Sequence, residues 1–264
     1  MSPRIREPAV AGLFYPGDRD TLFDTIDQMM GRGVSPRGVP KALIVPHAGY
    51  VFSGSTAAEA YALLRPARGR IRRVVLLGPS HRVPFRGLAA HSADAFITPL
   101  GEVPLDREAL DSLEDLPQVQ TLDVAHDQEH SLEVQLPFLQ YTLGEFRLVP
   151  LVVGEAGADD VAEVLERLWG GDETLIVISS DLSHYHDYDT ARRLDRSTAE
   201  NITALRYEDI DYEDACGRGP INGLLALARR RGLKVELLGL RNSGDTAGPR
   251  DRVVGYGAFA VDES

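Results

Sequence analysis

The chain has 264 residues, with 28 Lys+Arg against 40 Asp+Glu and a formal charge of −12. That balance argues against a non-specific nucleic-acid binder or a protein held on anionic lipid, because phosphate contacts need a basic face. The one cysteine, Cys216, excludes an intrachain disulfide and suits a reducing cytoplasm, and a chain this long buries roughly 70–75% of its unfolded surface without covalent help.

The opening MSPRIREPAVAGLFYPGD carries no long apolar run of the signal-peptide kind. No stretch approaches the roughly 18–20 apolar residues of a membrane span. Neither a repeat nor a linker breaks the chain, so one domain over 1–264 is expected. Leu22, Phe23, Ile26, Met29 and Met30 recur at helical spacing and predict a helix over Arg19–Met30, followed by a loop at 31–38 (GRGVSPRG). Apolar runs at Ala42–Val45, 74–77, 148–153 and 175–178 read as strands. Helical patterns lie at 55–64, 131–143, 158–169 and 190–205, and an amphipathic helix follows Pro220. Continuous Val/Ile/Leu runs separated by helices mark parallel strands buried on both faces, hence an α/β fold with a mostly parallel central sheet flanked by helices. The closing stretches 234–240 and 252–261 read as strands at one side of the sheet, an antiparallel arrangement being one option.

Three histidines share a context. His47 follows ALIV, His81 follows VVLLGPS and His184 follows LIVISSDLS. In open α/β sheets ligands bind beyond the carboxyl ends of the strands, so three strands deliver imidazoles to one rim. Any one of them alone is explained as a loop histidine bonded to backbone or water. The company they keep weakens that account: PHAGY and GPSH place Pro and Gly beside the imidazole, and Asp181 follows the third strand. His, Asp and Cys are metal-ligand types. A second cluster, His126, Asp127, Glu129, His130 and Glu133, has the His spacing of a helical zinc motif but lacks its glutamate after the first His. Capping by Ser131 explains part of it, and His130 is left with a place beside the metal ligands or facing substrate. A lone Cys is most often a small buried hydrophobe, but Cys216 precedes a helix start, which would depress its pKa and favour a thiolate. GxSxG, P-loop and GxGxxG patterns are absent from the sequence.

REPAVAGLFYPGD, PHAGYVFSG, GPSH, EHSLEVQLPFLQ, SSDLSH, CGRGPI and NSGD…VVGYGAFA occur in order over nearly the whole chain. Together they resemble the Memo family, in prokaryotes also named as protein B of the AmmeMemoRadiSam system. The resemblance implies a fold similar to class III extradiol dioxygenases, non-haem Fe(II) enzymes that open catechol rings with O2. It implies His47 and His81 as metal ligands, His184 as the proton-handling residue, and Cys216 where those dioxygenases carry a glutamate. Fe(II) is the first expectation for the metal, with Cu and Zn as alternatives, since a thiolate is a softer ligand than a carboxylate. Cys216 or Asp181 would complete the site and His130 would orient substrate. A radical-SAM protein and an AMMECR-like protein are partners implied by the system name alone.

Three functions compete on this reading. The first is a metal-dependent, dioxygenase-like oxidoreductase acting on a small organic substrate. The second is a binding module for a metal, small ligand or peptide that performs no turnover. The third is an O2-independent metal-assisted hydrolase or lyase.

Overall fold

The computed structural model describes residues 3–31 and 38–263. In chain order the strands are β1 (Ile5–Arg6), β2 (Ala42–Val45), β3 (Arg73–Pro79), β4 (Leu88–Ala90), β5 (Ala95–Thr98), β6 (Gly101–Pro104), β7 (Val119–Thr121), β8 (Arg147–Val153), β9 (Thr174–Ser179), β10 (His184–His186), β11 (Lys234–Asn242) and β12 (Val253–Asp262). The helices are α1 (Arg19–Met30), α2 (Tyr50–Tyr61), α3 (Arg107–Asp111), α4 (Val124–Asp127), α5 (Leu136–Leu143), α6 (Ala158–Arg167), α7 (Tyr188–Thr203) and α8 (Arg218–Arg231).

The large sheet runs β10-β12-β2-β9-β3-β8-β4-β7, with β11 paired to β12. Its centre, β2, β9, β3 and β8, is parallel throughout, and both flanks turn antiparallel, at β12 on β2 and at β4 on β8. Every residue of β2 and β9 is buried, so helices cover both faces of the centre, as unbroken apolar runs require. Helices α1, α2 and α5 pack on one another, with α2 on β2, β11 and β12. Helix α8 packs on α6, β3 and β9, and α7 on β10, β11 and β12. The expected fold class is the one observed, and the closing strands are antiparallel neighbours.

Several boundaries differ from expectation. Helix α2 begins at Tyr50, ahead of the expected residue 55, because Gly54 tucks under Met29 rather than breaking the helix. The segment from Ser131 is a 3-10 turn, Glu133–Gln135, before α5 starts at Leu136. Ser131 is therefore no helix cap; its hydroxyl donates to the Pro79 carbonyl (2.9 Å). Strands β1, β4, β5, β6, β7 and β10 have four residues or fewer, too few for an alternation to register in sequence. Of the expected loop at 31–38, residues 32–37 lie outside the described residues. Among the described residues, no helix is long and apolar enough to cross a membrane.

Candidate functional site

Because β2, β3 and β9 are parallel neighbours, their carboxyl ends Val45, Pro79 and Ser179 share one rim. His47 sits in the four-residue link from β2 to α2, His81 just past β3, and His184 past β9 at the start of β10. All three line one cleft of about 530 Å³, together with His130, Asp181 and aromatic walls from Phe14, Phe52 and Tyr256. The chain closes against this rim by close backbone approach. A Cβ on Gly78 would meet Ser131 Oγ at 2.8 Å, and one on Gly217 would meet Ser180 Cβ at 2.6 Å. Glycine at these two places lets the 131 segment and the Cys216 turn press onto the ends of β3 and β9.

His47 is buried, with its ring 5.1 Å from that of His81 and 5.4 Å from that of His130. The hydrogen bonds fix its tautomer. Ser179 Oγ donates its only proton to the Ser131 carbonyl (2.6 Å), so it must accept from His47 Nδ1 (2.9 Å) and from Gln135 Nε2 (2.8 Å). His47 Nε2 is then the bare nitrogen, and it faces Cys216 Sγ at 3.3 Å. The same logic applies to His81, whose Nδ1 meets Glu129 Oε1 at 2.9 Å. Burial works to raise the Glu129 pKa. Its hydrogen bonds from the His81 ring and from the His81 and Ser131 N–H groups outweigh that and bring it to about 2. Glu129 is thus a carboxylate that can only accept, Nδ1 of His81 donates to it, and Nε2 is the ring nitrogen this contact leaves over. A metal-binding histidine characteristically donates its other ring N–H in this way.

The donor atoms of His47, His81 and Cys216 all lie within 4.8 Å of one another. Burial, then the neighbouring imidazoles of His81, His130 and His184, holds His47 well below the ordinary histidine range, so it is neutral and can donate a lone pair. Two imidazole nitrogens and one thiol sulfur fit a divalent or soft metal. Glu129, His130 and His81 form a second such group, sharing His81.

Other expected residues fall into place differently. Asp181 stands outside both groups. Its Oδ1 accepts the His47 N–H (2.8 Å), and burial, partly offset by the N–H groups of His47 and Ala48, pushes its pKa up to about 7. It shapes the turn that carries His47. Cys216 is no ready thiolate: burial, then the Asp181 charge, pushes its thiol up to about 12. The helix N-terminus at α8 does not compensate for the lost water, so the sulfur needs a cation to ionise. His130 stacks on His81 at 4.7 Å and packs on Phe14 at 4.8 Å. Burial takes its pKa down to about 4 although Glu129 opposes. His184 is lowered too, first by burial, while a hydrogen bond with the Leu182 backbone works against that.

The dense cluster from His126 to Glu133 divides its labour. His126 closes α4 and meets the Ala89 carbonyl through Nε2 (2.9 Å), so it shares no helix with His130. Glu133 is buried and accepts from Arg6 Nη1 (2.6 Å), the Ala9 and Val10 N–H groups and the Tyr15 hydroxyl (2.7 Å). Arg6 also donates to the His126 and Glu129 carbonyls. This clamp seats the opening REPAVAGLFYPGD segment so that Phe14 reaches the cleft. Sequence reasoning assigned no role to Phe14, Ser179, Tyr185 or Arg252. Only the doubled serine of SSDLSH hinted at one of them.

The Memo-like protein family model matches residues 6–260. A MEMO1 family protein of Aquifex aeolicus is 38% identical, covering 96% of this chain and 97% of its own length. One from Thermoplasma volcanium is 37% identical, with 97% and 98% covered. The solved structure of an uncharacterized protein from Escherichia coli K12 superposes with a TM-score of 0.52 at 13% identity, covering 83% of this chain and 98% of that one, a likeness of fold. The motifs, the full-length match and these relatives agree: the chain belongs to the Memo family.

Proposed function

We propose that His47 and His81, from the lining of the cleft, and Cys216, whose sulfur lies against His47, form a metal centre serving a dioxygenase-like oxidoreductase of a small organic substrate, with Fe(II) as the first metal to test. The observation carrying this reading is that ligand atoms of His47, His81 and Cys216 lie within 4.8 Å of one another, with the bare Nε2 of His47 3.3 Å from the sulfur and both histidines lining an aromatic-walled cleft. Bound there, such a metal would supply a Lewis-acidic, redox-active centre. His184 lines the same cleft outside the ligand group. Its ring nitrogen not bonded to Leu182 is free to take a proton from a substrate hydroxyl and return it. His130 and Phe14 offer flat surfaces that hold a ring in place, and the aromatic walls exclude water from it.

A second reading, a metal- or ligand-binding module without turnover, draws on the third donor. A thiol stands where an oxygenase of this type would carry a carboxylate, and it needs the metal to ionise. Elemental analysis of anaerobically purified protein separates the readings, with His81→Ala, Cys216→Ser and His184→Ala alongside. Near-stoichiometric iron, lost in the first two variants and kept in the third, followed by substrate-dependent O2 uptake that His184→Ala abolishes, is the expected result. Metal without any uptake favours the binding module. A wild type that takes up no metal on anaerobic reconstitution overturns the metal centre.

A further inference from the structure

Tyr185 adopts φ +64°, left-handed backbone that a bulky residue rarely takes. It lies inside β10, where His184 pairs with Val254 and His186 with the adjacent Val253, so one residue is extra. In a regular strand His184 and Tyr185 would face opposite sides. The bulge turns both into the same cleft, which is what such a defect beside a site accomplishes. Tyr185 is also largely exposed, so burial does not account for its conformation.

Arg252 lines that cleft as well, its guanidinium 5.0 Å from the centre of the Tyr185 ring. Among the described residues lining the cleft it is the one Arg or Lys, and it makes no ion pair with a described carboxylate. The one lining carboxylate, Asp181, is turned to the His47 and Ala48 N–H groups. A molecule of charge −12 repels small anions over most of its surface, so an unpaired cation at an aromatic-walled cleft selects where an anion can enter. Guanidinium also matches a carboxylate two-pronged, which an ammonium cannot.

We infer that Arg252, seated on the ring of Tyr185, is the specificity-determining residue for a ring-bearing carboxylate, gripping its anionic group while the ring lies toward the histidines. The inference rests on the cleft being the ligand site of the proposed function, and it names the substrate class. Tyr185 acts as a positioning residue through Arg252.

The test measures binding, with benzoate and its neutral counterpart benzyl alcohol as probes, by titration calorimetry and saturation-transfer NMR on the full chain as purified. Wild type should bind benzoate at least about 10-fold more tightly, and the preference should shrink with added salt. Arg252→Ala should bind the two probes equally. Tyr185→Phe should keep the preference. Tyr185→Gly should lose several-fold of benzoate affinity with an unchanged or higher unfolding midpoint, since glycine takes φ > 0 freely. Equal affinities in wild type, a preference surviving in Arg252→Ala, or no benzoate binding at 10 mM (about 100-fold above the affinity expected of so small a probe in a preformed site) overturns the inference. Metal content of the same samples keeps the two proposals apart: a wild type that holds metal yet shows no preference sinks this one alone, whereas a wild type that shows the preference but takes up no metal on anaerobic reconstitution sinks the metal centre alone.

Discussion

Cys216 Sγ lies 3.3 Å from His47 Nε2, although 169 positions separate the two residues. Gly217 makes the approach: its N–H donates to Ser180 Oγ (2.9 Å), and no side chain holds the turn away from the end of β9. The sulfur also reaches the Asp181 carbonyl (3.6 Å), and it faces the bare imidazole nitrogen of His47 across the place a metal would take.

Burial of that thiol has a measurable consequence. With its pKa pushed up to about 12, Cys216 of chelator-treated protein should react with a disulfide reagent at pH 8 at least about 100-fold more slowly than the denatured chain, where the pKa returns to about 8.5. Equal rates in the native and denatured chain would show a thiolate already present.

Glu129 orients His81 without joining the His47/His81/Cys216 group. Glu129→Gln keeps the shape but weakens the Nδ1 hydrogen bond and the basicity of Nε2. Metal affinity should fall about 10–100-fold, with the unfolding midpoint little changed. Competition against a chelator of known affinity reads the change.

The Arg6–Glu133 pair is buried at both ends, with Glu133 accepting three further hydrogen bonds. Removing one partner strands the other charge away from water. Glu133→Ala and Arg6→Ala should each cost roughly 3–5 kcal/mol in urea unfolding. The double variant should cost clearly less than their sum, because the stranded charge is gone.

His126 supplies an acid limb to stability away from the cleft. Burial, then the His91 charge, lowers its pKa to about 3 in the fold, against about 6.5 unfolded. The unfolded chain therefore binds the extra proton between those values, and stability falls as pH drops from 6.5 toward 3. His126→Gln, whose amide can still donate to the Ala89 carbonyl, should remove about 1.4 kcal/mol per pH unit from that slope between pH 4 and 6. Urea midpoints measured across this window check it; an unchanged slope would place the titration elsewhere.

The apolar runs at β2, β3, β8 and β9 were legible because strands buried on both faces need unbroken hydrophobic sequence, and that need leaves a local trace. The same runs implied that His47, His81 and His184 meet, since parallel neighbours end at one rim whatever their order. Short strands such as β4 and β7 left no such trace. Nor did the β10 bulge, because one left-handed residue between two histidines looks like any other tyrosine. Sequence by itself thus determined the class of fold, the rim and the imidazoles on it. Only the tertiary structure decided which nitrogen of His47 is bare, that Glu133 clamps the N-terminal segment while Glu129 orients His81, that Asp181 holds a turn, and that burial overrides the helix end at Cys216. Those outcomes depend on burial and on hydrogen-bond partners dozens of residues away, and neither is a property of a short stretch of chain.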